Sequence, residues 1–438
     1  MTTKPLEALR ENGEPAGVGP RIRRLRRAHG LTQRELAQPH YSRTLLAAVE
    51  AGTRNPSEPM LTHVAQRLGV DPDDLRYGRP PGAAADLNDA LQRARRLLSE
   101  GKIGYAEDEF RRVRADASRY ALTEPAGWAG YWLGEARLQS GDLRGAEEQF
   151  GRVRDEPPST PRTAAVARWA YCRFARGDLS TALAVLQEEL RAPAELPAHA
   201  DGRLRLSASL LYIFVELDWR ERARRLEADA QALLPQATVP EWLAHFYTTA
   251  GQLRRSPAEL PEAERMFTEA GRIYRELGLT REVGLCHWAH GYVLRRVDRL
   301  PEAARELSAA AEILRAVGAT QDHAGATLEL AEVCRRQGDL DQAARLATEA
   351  GRISHDVHHA ECMAEADRLL GLVAVGRGDP AAGERLLTRA AARYEQTGLM
   401  AELVRTCRML GDVLLEAGRE ADAVVVLRRG LHAAEKIR

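Results

Sequence analysis

The chain has 438 residues, with 63 basic and 63 acidic side chains, so its formal net charge is zero. It is 44% hydrophobic, 29% charged and only 5% aromatic, a balance that excludes a wholly disordered chain. No apolar run reaches the ~18–20 residues of a membrane span, and the opening MTTKPLEALRENGEP has no apolar core, so no membrane segment or secretory leader is expected.

A cytoplasmic compartment follows as the expectation. Five cysteines (Cys172, Cys286, Cys334, Cys362, Cys407) are odd in number and far apart, so neither a disulfide framework nor a CxxC metal pattern is expected. Three lysines stand against 60 arginines, and asparagine occurs three times, at Asn12, Asn55 and Asn88. That bias points to a GC-rich, actinobacterial genome.

Residues 1–18 read as a flexible N-terminal segment. Residues 1–80 carry 13 basic and 9 acidic side chains, a head of +4, and residues 81–438 carry 50 and 54, a body of −4. The basic excess sits in GPRIRRLRRA, 19–28, where Ile22, Leu25 and Ala28 recur at helical spacing and Gly30 ends the helix. Thr32 with Glu35 makes a capping box for a second helix that stops before Pro39. A third starts at Ser42, turns Leu45, Leu46 and Val49 inward and closes at Gly52. A fourth, Ser57–Leu68, is capped by Ser57 and ended by Gly69, and Pro72 opens a last turn. Five short helices in so little chain, the second and third joined by a tight turn, describe a helix-turn-helix domain over 19–78.

The segment RIRRLRRAHGLTQRELAQ…SRTLLAAVEAGTRNPS, with LTQxxLA and VExGxRxP, resembles the Xre, lambda-repressor-like family of helix-turn-helix domains. The resemblance implies double-stranded DNA as partner. Gln33 would hold a phosphate, and Ser42, Arg43 and Thr44 at the start of helix 3 would meet the major groove. Ala48 would offer apolar contact to a base, and Arg54 and Asn55 would hold the backbone. Arg21 and Arg23 would add phosphate contacts from the first helix. Arg26 and Glu50 match a buried ion pair of the family. Two departures stand out: the turn PHY is one residue short, and only Arg43 is a strong base reader. Direct readout by one arginine implies a homodimer on a two-fold operator.

GRPPGAAA follows, with 79–85 expected as a stiff Pro/Gly linker. The rest repeats. ELPEAERMFTEAGRIYRELG (259–278), RLPEAARELSAAAEILRAVG (299–318), DLDQAARLATEAGRISHDVH (339–358), DPAAGERLLTRAAARYEQTG (379–398) and READAVVVLRRGLHAAEKIR (419–438) step by 40 residues. Small residues recur at Ala223, Ala263, Ala303, Ala343, Gly383 and Ala423, and again at Ala270, Ala310, Ala350, Ala390 and Gly430. With earlier units around Ala106, Ala146 and Ala182, nine helical hairpins are expected. Small residues let helix B approach helix A, and Phe110, Phe150, Phe267 and Leu307 are expected to fill the gap to the next unit. One hairpin cannot bury its face alone, so the units stack.

The repeat resembles the tetratricopeptide repeat, most clearly where Gly134, Ala146, Phe150 and Pro158 fall on its framework. The expected fold is therefore all-α: a lambda-repressor-like head, then a right-handed solenoid over 86–438. In this repeat family the A helices line the concave groove. Aligned on their small residues, they place Trp128, Tyr131 and Glu135 there, then Tyr171 and Phe174, Tyr212, and His245, Thr248 and Gln252. Trp288, Tyr292 and Arg295 follow, then Glu332 and Arg335. Aromatics with a few polar groups suit a peptide or small amphipathic ligand.

The run HDVHHAEC (His355, His358, His359, Cys362) is read as solvated or capping histidines. Metal binding needs convergent ligands, and Cys286, His287, His290 and His323 do not supply them from sequence. Neither a metal nor a cofactor is expected. There is no P-loop, GxSxG or HExxH, so no enzyme is expected. A head of this kind on such a body is similar to the RRNPP peptide-receptor regulators and to actinobacterial Xre–tetratricopeptide regulators. The resemblance implies a dimeric transcription regulator sensing a peptide, small molecule or partner protein. Groove asparagines of the peptide receptors are missing here, apart from Asn88. The alternative is a protein-interaction scaffold whose head only docks or dimerises.

Overall fold

The computed structural model describes residues 17–80, 82–191, 199–356 and 359–435. The expected flexible segment 1–18 thus lies outside the described residues but for its last two. Among the described residues every regular element is helical, and no helix is long and apolar enough to cross a membrane. Two compact units emerge, one of Met1–Arg93 with Asp108–Ala129, the other of Ala94–Glu107 with Gly130–Arg438.

The first unit opens with five short helices, α1 (Val18–Ala28), α2 (Gln33–Ala37), α3 (Arg43–Glu50), α4 (Glu58–Leu68) and α5 (Pro72–Tyr77). Their ends follow capping chemistry. Thr32 and Glu35 form the reciprocal box expected of them, and Ser42 Oγ accepts the Leu45 N–H at 3.1 Å. Ser57 holds the N-cap position of α4 but makes no side-chain cap bond, contrary to its expected role. Ile22, Leu25, Leu36, Leu46, Val49, Met60, Val64 and Leu68 close one core. Ala28 is exposed, and Arg26 takes the inward place instead, because Glu50 is there to receive it. At Gly19 a Cβ would lie 1.9 Å from the Val49 carbonyl oxygen, so α1 meets α3 backbone to backbone.

The expected linker is shorter than 79–85. Helix α6 (Ala83–Ser99) already holds Ala83–Ala85, strong helix formers followed by Asp86 in the favourable first turn. Pro81 lies outside the described residues. Arg79 Nε donates to the Tyr120 carbonyl at 2.7 Å, within the same unit.

Nine helical hairpins follow in the described residues, as the 40-residue step predicts. The first is α6 with α7 (Ile103–Arg119), then α8 (Thr123–Gln139) with α9 (Leu143–Arg154) and α10 (Thr160–Ala175) with α11 (Leu179–Arg191). The fourth to sixth are α12 (His199–Glu216) with α13 (Arg220–Gln231), α14 (Pro240–Leu253) with α15 (Leu260–Glu276), and α16 (Thr280–Arg296) with α17 (Leu300–Ala316). The last three are α18 (Thr320–Arg336) with α19 (Leu340–Asp356), α20 (Ala360–Gly376) with α21 (Pro380–Thr397), and α22 (Met400–Glu416) with α23 (Glu420–Glu435).

The large apolar residues fill a notch in their own hairpin, and Phe267 also meets the next unit as expected, stacking on His290 of α16 with ring centres 4.9 Å apart. A Cβ on Gly134 would stand 2.5 Å from Phe150, on Gly251 2.8 Å from Phe267, on Gly291 2.6 Å from Leu307, and on Gly371 2.9 Å from Leu387. The seventh hairpin has Ala331 and Ala347 at these positions, both fully buried. Size is thus exchanged between the two helices, one carbon gained on the first against three lost on the second. Gly291→Ala will therefore cost about 1–3 kcal/mol by overpacking. The double variant Gly291→Ala with Leu307→Ala, copying the seventh hairpin, will regain part of it. Urea denaturation checks this, and a double variant less stable than both single ones would refute the exchange.

The second unit also closes on itself. Ser99, buried at the end of α6, donates to Glu282 Oε2 at 3.0 Å and accepts the Arg281 N–H at 3.2 Å. Arg95 pairs with Glu241 of α14 and lies over Trp132, 4.3 Å from its ring centre. At Gly101, with φ +75°, a Cβ would fall 1.6 Å from the Val317 carbonyl oxygen. Gly141 leaves only 2.1 Å to Gln321 Nε2. Turns of the first two hairpins therefore seat against the sixth and seventh.

Candidate nucleic-acid interface and concave face

In the head, one buried ion pair orders three helices. Arg26 donates through Nε to Glu50 Oε1 at 2.6 Å and through Nη2 to Oε2 at 2.9 Å, and its Nη1 reaches the Leu31 carbonyl at 2.8 Å. Gln33 Nε2 adds a bond to Glu50 Oε2 at 2.9 Å. Burial opposes the Glu50 charge, but the Arg26 and Gln33 hydrogen bonds overcome it and hold the carboxyl below its ordinary value. This carboxylate thus fixes α1, α3 and the first residue of α2 together.

That frame leaves Ser42, Arg43 and Thr44 exposed at the first turn of α3. Arg23, Arg54 and Asn55 are exposed as well, and Ala48 is half-buried. Gln33, expected on a phosphate, has one amide hydrogen committed to Glu50 and keeps the other. Arg21 departs from expectation: it turns inward, donating to the Leu75 carbonyl at 2.8 Å and the Arg76 carbonyl at 2.5 Å. The last carbonyls of α5 need donors, and Arg21 serves there as a structural clamp.

In the second unit, the A helices bring part of the expected groove together. Arg168 of α10 binds Glu135 of α8 through Nε and Nη2, the Nη2–Oε2 bond at 3.0 Å. Arg205 of α12 donates to the Tyr131 hydroxyl at 3.3 Å. Burial opposes the Glu135 charge, yet Arg168 and then Arg205 hold that carboxyl below its ordinary value. Burial, with Arg205 and Arg168 beside it, pushes His245 of α14 well below the usual histidine range. His245 is therefore neutral at pH 7. Tyr171 and Tyr212 sit with ring centres 5.9 Å apart, and Phe174 meets Tyr212 at 6.3 Å. Burial raises the Tyr212 phenol, as do Glu216, Tyr171 and Glu361. Glu216 and Glu361 are raised too, by desolvation among the surrounding helices although both side chains reach solvent, and by the other carboxylates of α12, α20 and α22.

Other predicted residues are engaged elsewhere. Trp288 packs on α18, where a Gly325 Cβ would lie 2.3 Å from its ring, so it spaces one hairpin from the next. Tyr292 lies under Arg295 at 5.2 Å, and Arg295 pairs with Glu329 at 2.7 Å. Glu332 and Arg335 bind each other one turn apart, at 2.7 and 2.8 Å. Thr248 bonds back to the Ala244 carbonyl at 2.9 Å. Gln252 is half-buried, as is Trp128, which belongs to the first unit. His359 caps α20, its Nδ1 accepting the Cys362 N–H at 3.2 Å, while His355 is exposed and His358 lies outside the described residues. Burial pushes the Cys362 thiol up to about 12. His287 and His290 share the Glu306 carboxylate, at 2.7 and 3.4 Å. Sequence reading missed Arg168, Arg205, Glu216 and Glu361, since charge on a helix face is ordinarily solvated.

Comparison with known proteins follows the same division. Residues 18–77 match the family described as a helix-turn-helix domain. A Sinorhizobium fredii protein, the uncharacterized HTH-type transcriptional regulator y4dJ, is 44% identical over 59 residues, 13% of this chain and 77% of that protein. Among solved structures, a Rap protein complexed with Competence and Sporulation Factor superposes with a TM-score of 0.54 at 11% identity, over 81% of this chain and 98% of that one. A signal transduction ATPase of Pyrococcus horikoshii with a tetratricopeptide repeat sensor gives 0.50 at 14% identity, over 97% of this chain and 66% of that one. The latter two establish likeness of fold.

Proposed function

Because this chain belongs, through its head, to the helix-turn-helix family of transcriptional regulators, we propose that it binds a two-fold DNA operator as a homodimer under the control of an effector held by its solenoid. The observation that carries this reading is the exposed first turn of α3. Arg43 and Thr44 stand free there on a helix held rigidly by the Arg26–Glu50 pair. Arginine is the side chain suited to the two acceptors of a guanine edge. Arg23, Arg54 and Asn55 supply the sequence-independent hold on phosphates.

The part of the solenoid in this reading is to bind. A Rap protein of like fold is complexed with a factor, which supports an effector site here on the concave face around Tyr171 and Tyr212. A peptide, a small molecule or a partner protein fits that role. Control then follows as a population shift: an effector that prefers one solenoid curvature alters the spacing of the two heads and so the operator affinity. The arginine-rich, lysine-poor composition supports an actinobacterial source.

Gel shifts on the DNA upstream of its own gene test the head. Arg43→Ala will lower affinity for the preferred site about 10- to 100-fold and relax discrimination at one base pair. Arg54→Ala will weaken all sequences alike and reduce the salt slope by about one. If both variants bind DNA as the unchanged chain does, α3 is not the reading helix.

A further inference from the structure

Side-chain hydrogen bonds of Arg168 and Arg205 tie three consecutive A helices together, and the same two arginines act electrostatically on a histidine of the fourth. Tyr131 and Glu135 come from α8, Arg168 from α10, Arg205 from α12 and His245 from α14. Arg205 reaches past the third hairpin to touch Tyr131 of the second.

The charges in this group do not balance. Among the described residues Glu135 is the one carboxylate paired with these arginines, and Arg168 occupies both of its oxygens. Arg205 is only 4% exposed, and among the described residues it forms no ion pair and its Nε has no partner. Its single hydrogen bond is the 3.3 Å contact to Tyr131. A guanidinium carries five N–H donors in a planar fork, and a buried one is costly to leave unpaired. Glu241, the next carboxylate along α14, is taken by Arg95. His245 stays neutral beside the two arginines, so it adds a donor or acceptor without adding charge.

We propose that Arg205, flanked by Arg168 and His245, is an oxyanion subsite on the concave face and takes a carboxylate or phosphate group of the effector. This deepens the reading of the concave face as the effector site, and rests on it. The fork of Arg205 fits two oxygens of one planar or tetrahedral anion, as guanidinium groups do with carboxylates and phosphates. Arg168 stays on Glu135 and supplies field, and Tyr131 holds the fork in place. The neighbouring Tyr171 and Tyr212 rings then receive the apolar part of the same ligand.

Isothermal titration calorimetry on the full chain in low-chloride buffer tests this with three probes. They are inorganic phosphate, N-acetyl-leucyl-leucine with its free carboxylate, and the uncharged N-acetyl-leucyl-leucinamide. We expect saturable binding of at least one anion, with the free-acid dipeptide bound at least about 10-fold more tightly than its amide. Phosphate alone binding marks a phosphate-bearing effector, and the free acid alone marks a carboxylate. Arg205→Leu abolishes anion binding. If that variant does not fold by circular dichroism, Arg205→Lys keeps the charge, loses the fork, and weakens anion binding about 5-fold or more. Absence of binding by both anions to the unchanged chain overturns the subsite, as does full anion binding by Arg205→Lys. Equal binding of acid and amide, lost in Tyr212→Ala, would remove the anion subsite while keeping the concave face as the effector site.

Discussion

Replacing Arg26 with leucine will destabilise the head by about 3–5 kcal/mol and abolish DNA binding by the full chain. Breaking a buried ion pair from one side costs that much because it strands the other charge. Here the stranded group is Glu50, whose side chain is 2% exposed and would keep only the Gln33 amide. The same substitution removes the donor to the Leu31 carbonyl, so the turn between α1 and α2 loosens as well. Hydrogen exchange is the direct measurement: amides of α1 to α4 lose protection while those of the later hairpins keep theirs. Unchanged protection in α1 to α4 would sink the idea. The double variant Arg26→Met with Glu50→Leu will recover most of the loss, since an apolar pair of similar volume strands nothing.

The pH dependence has a definite sign. The Glu50 carboxyl is held below its ordinary value of 4.5 in the folded head. Its contribution is therefore fully present above that ordinary value and is lost as pH falls through the lowered one. Arg26 is raised from 12.5 and stays charged throughout this range. The advantage of the unchanged head over the apolar double variant will shrink below about pH 4.5, the ordinary carboxyl value.

Gly101→Val will open the second unit. The left-handed backbone at φ +75° costs a side-chain-bearing residue about 1–2 kcal/mol. Forcing a Cβ to within 1.6 Å of the Val317 carbonyl adds overpacking of about 1–3 kcal/mol, and here the obstacle is backbone that no rotamer change removes. The contact must part, and with it the Ser99 bonds to Arg281 and Glu282. Small-angle scattering will record a larger radius of gyration, and amides at 280–282 and 317–321 will exchange faster. Gly338→Val is the matched control. It has φ +88° at an equivalent turn with open space around it, so it carries the backbone cost alone. Should the two variants scatter alike, closure at Gly101 contributes nothing.

These two sites differ in how far they could be read beforehand. Arg26 and Glu50 are 24 positions apart, yet each lies in a short motif of a recognisable pattern, and the pair was expected. The caps of Thr32 and Ser42 are equally local, since a side chain reaching its own helix end needs only three residues of context. Arg21 escaped, because its acceptors are the end carbonyls of α5, 54 and 55 positions away. The packing of Trp288 on α18 escaped for a related reason: helical spacing places a residue on a face, but a solenoid packs both faces of each A helix. The notches that receive Phe150, Phe267 and Leu307 within their own hairpins escaped, since periodicity shows a large side chain facing a neighbour but not that it serves both adjacent helices, as Phe267 does by also stacking on His290.

The sequence by itself determined the fold class, the helix-turn-helix head, the 40-residue step and the nine hairpins, because each rests on interactions within a few turns of the chain or on repetition along it. Only the tertiary structure decided that Ser99 and Gly101 meet residues 280–282 and 317, and that Arg168 and Arg205 tie three A helices together and act on His245 of a fourth. Small rotations from hairpin to hairpin accumulate, and their sum sets which distant side chains meet. No single repeat carries that sum, so no single stretch of sequence could declare it.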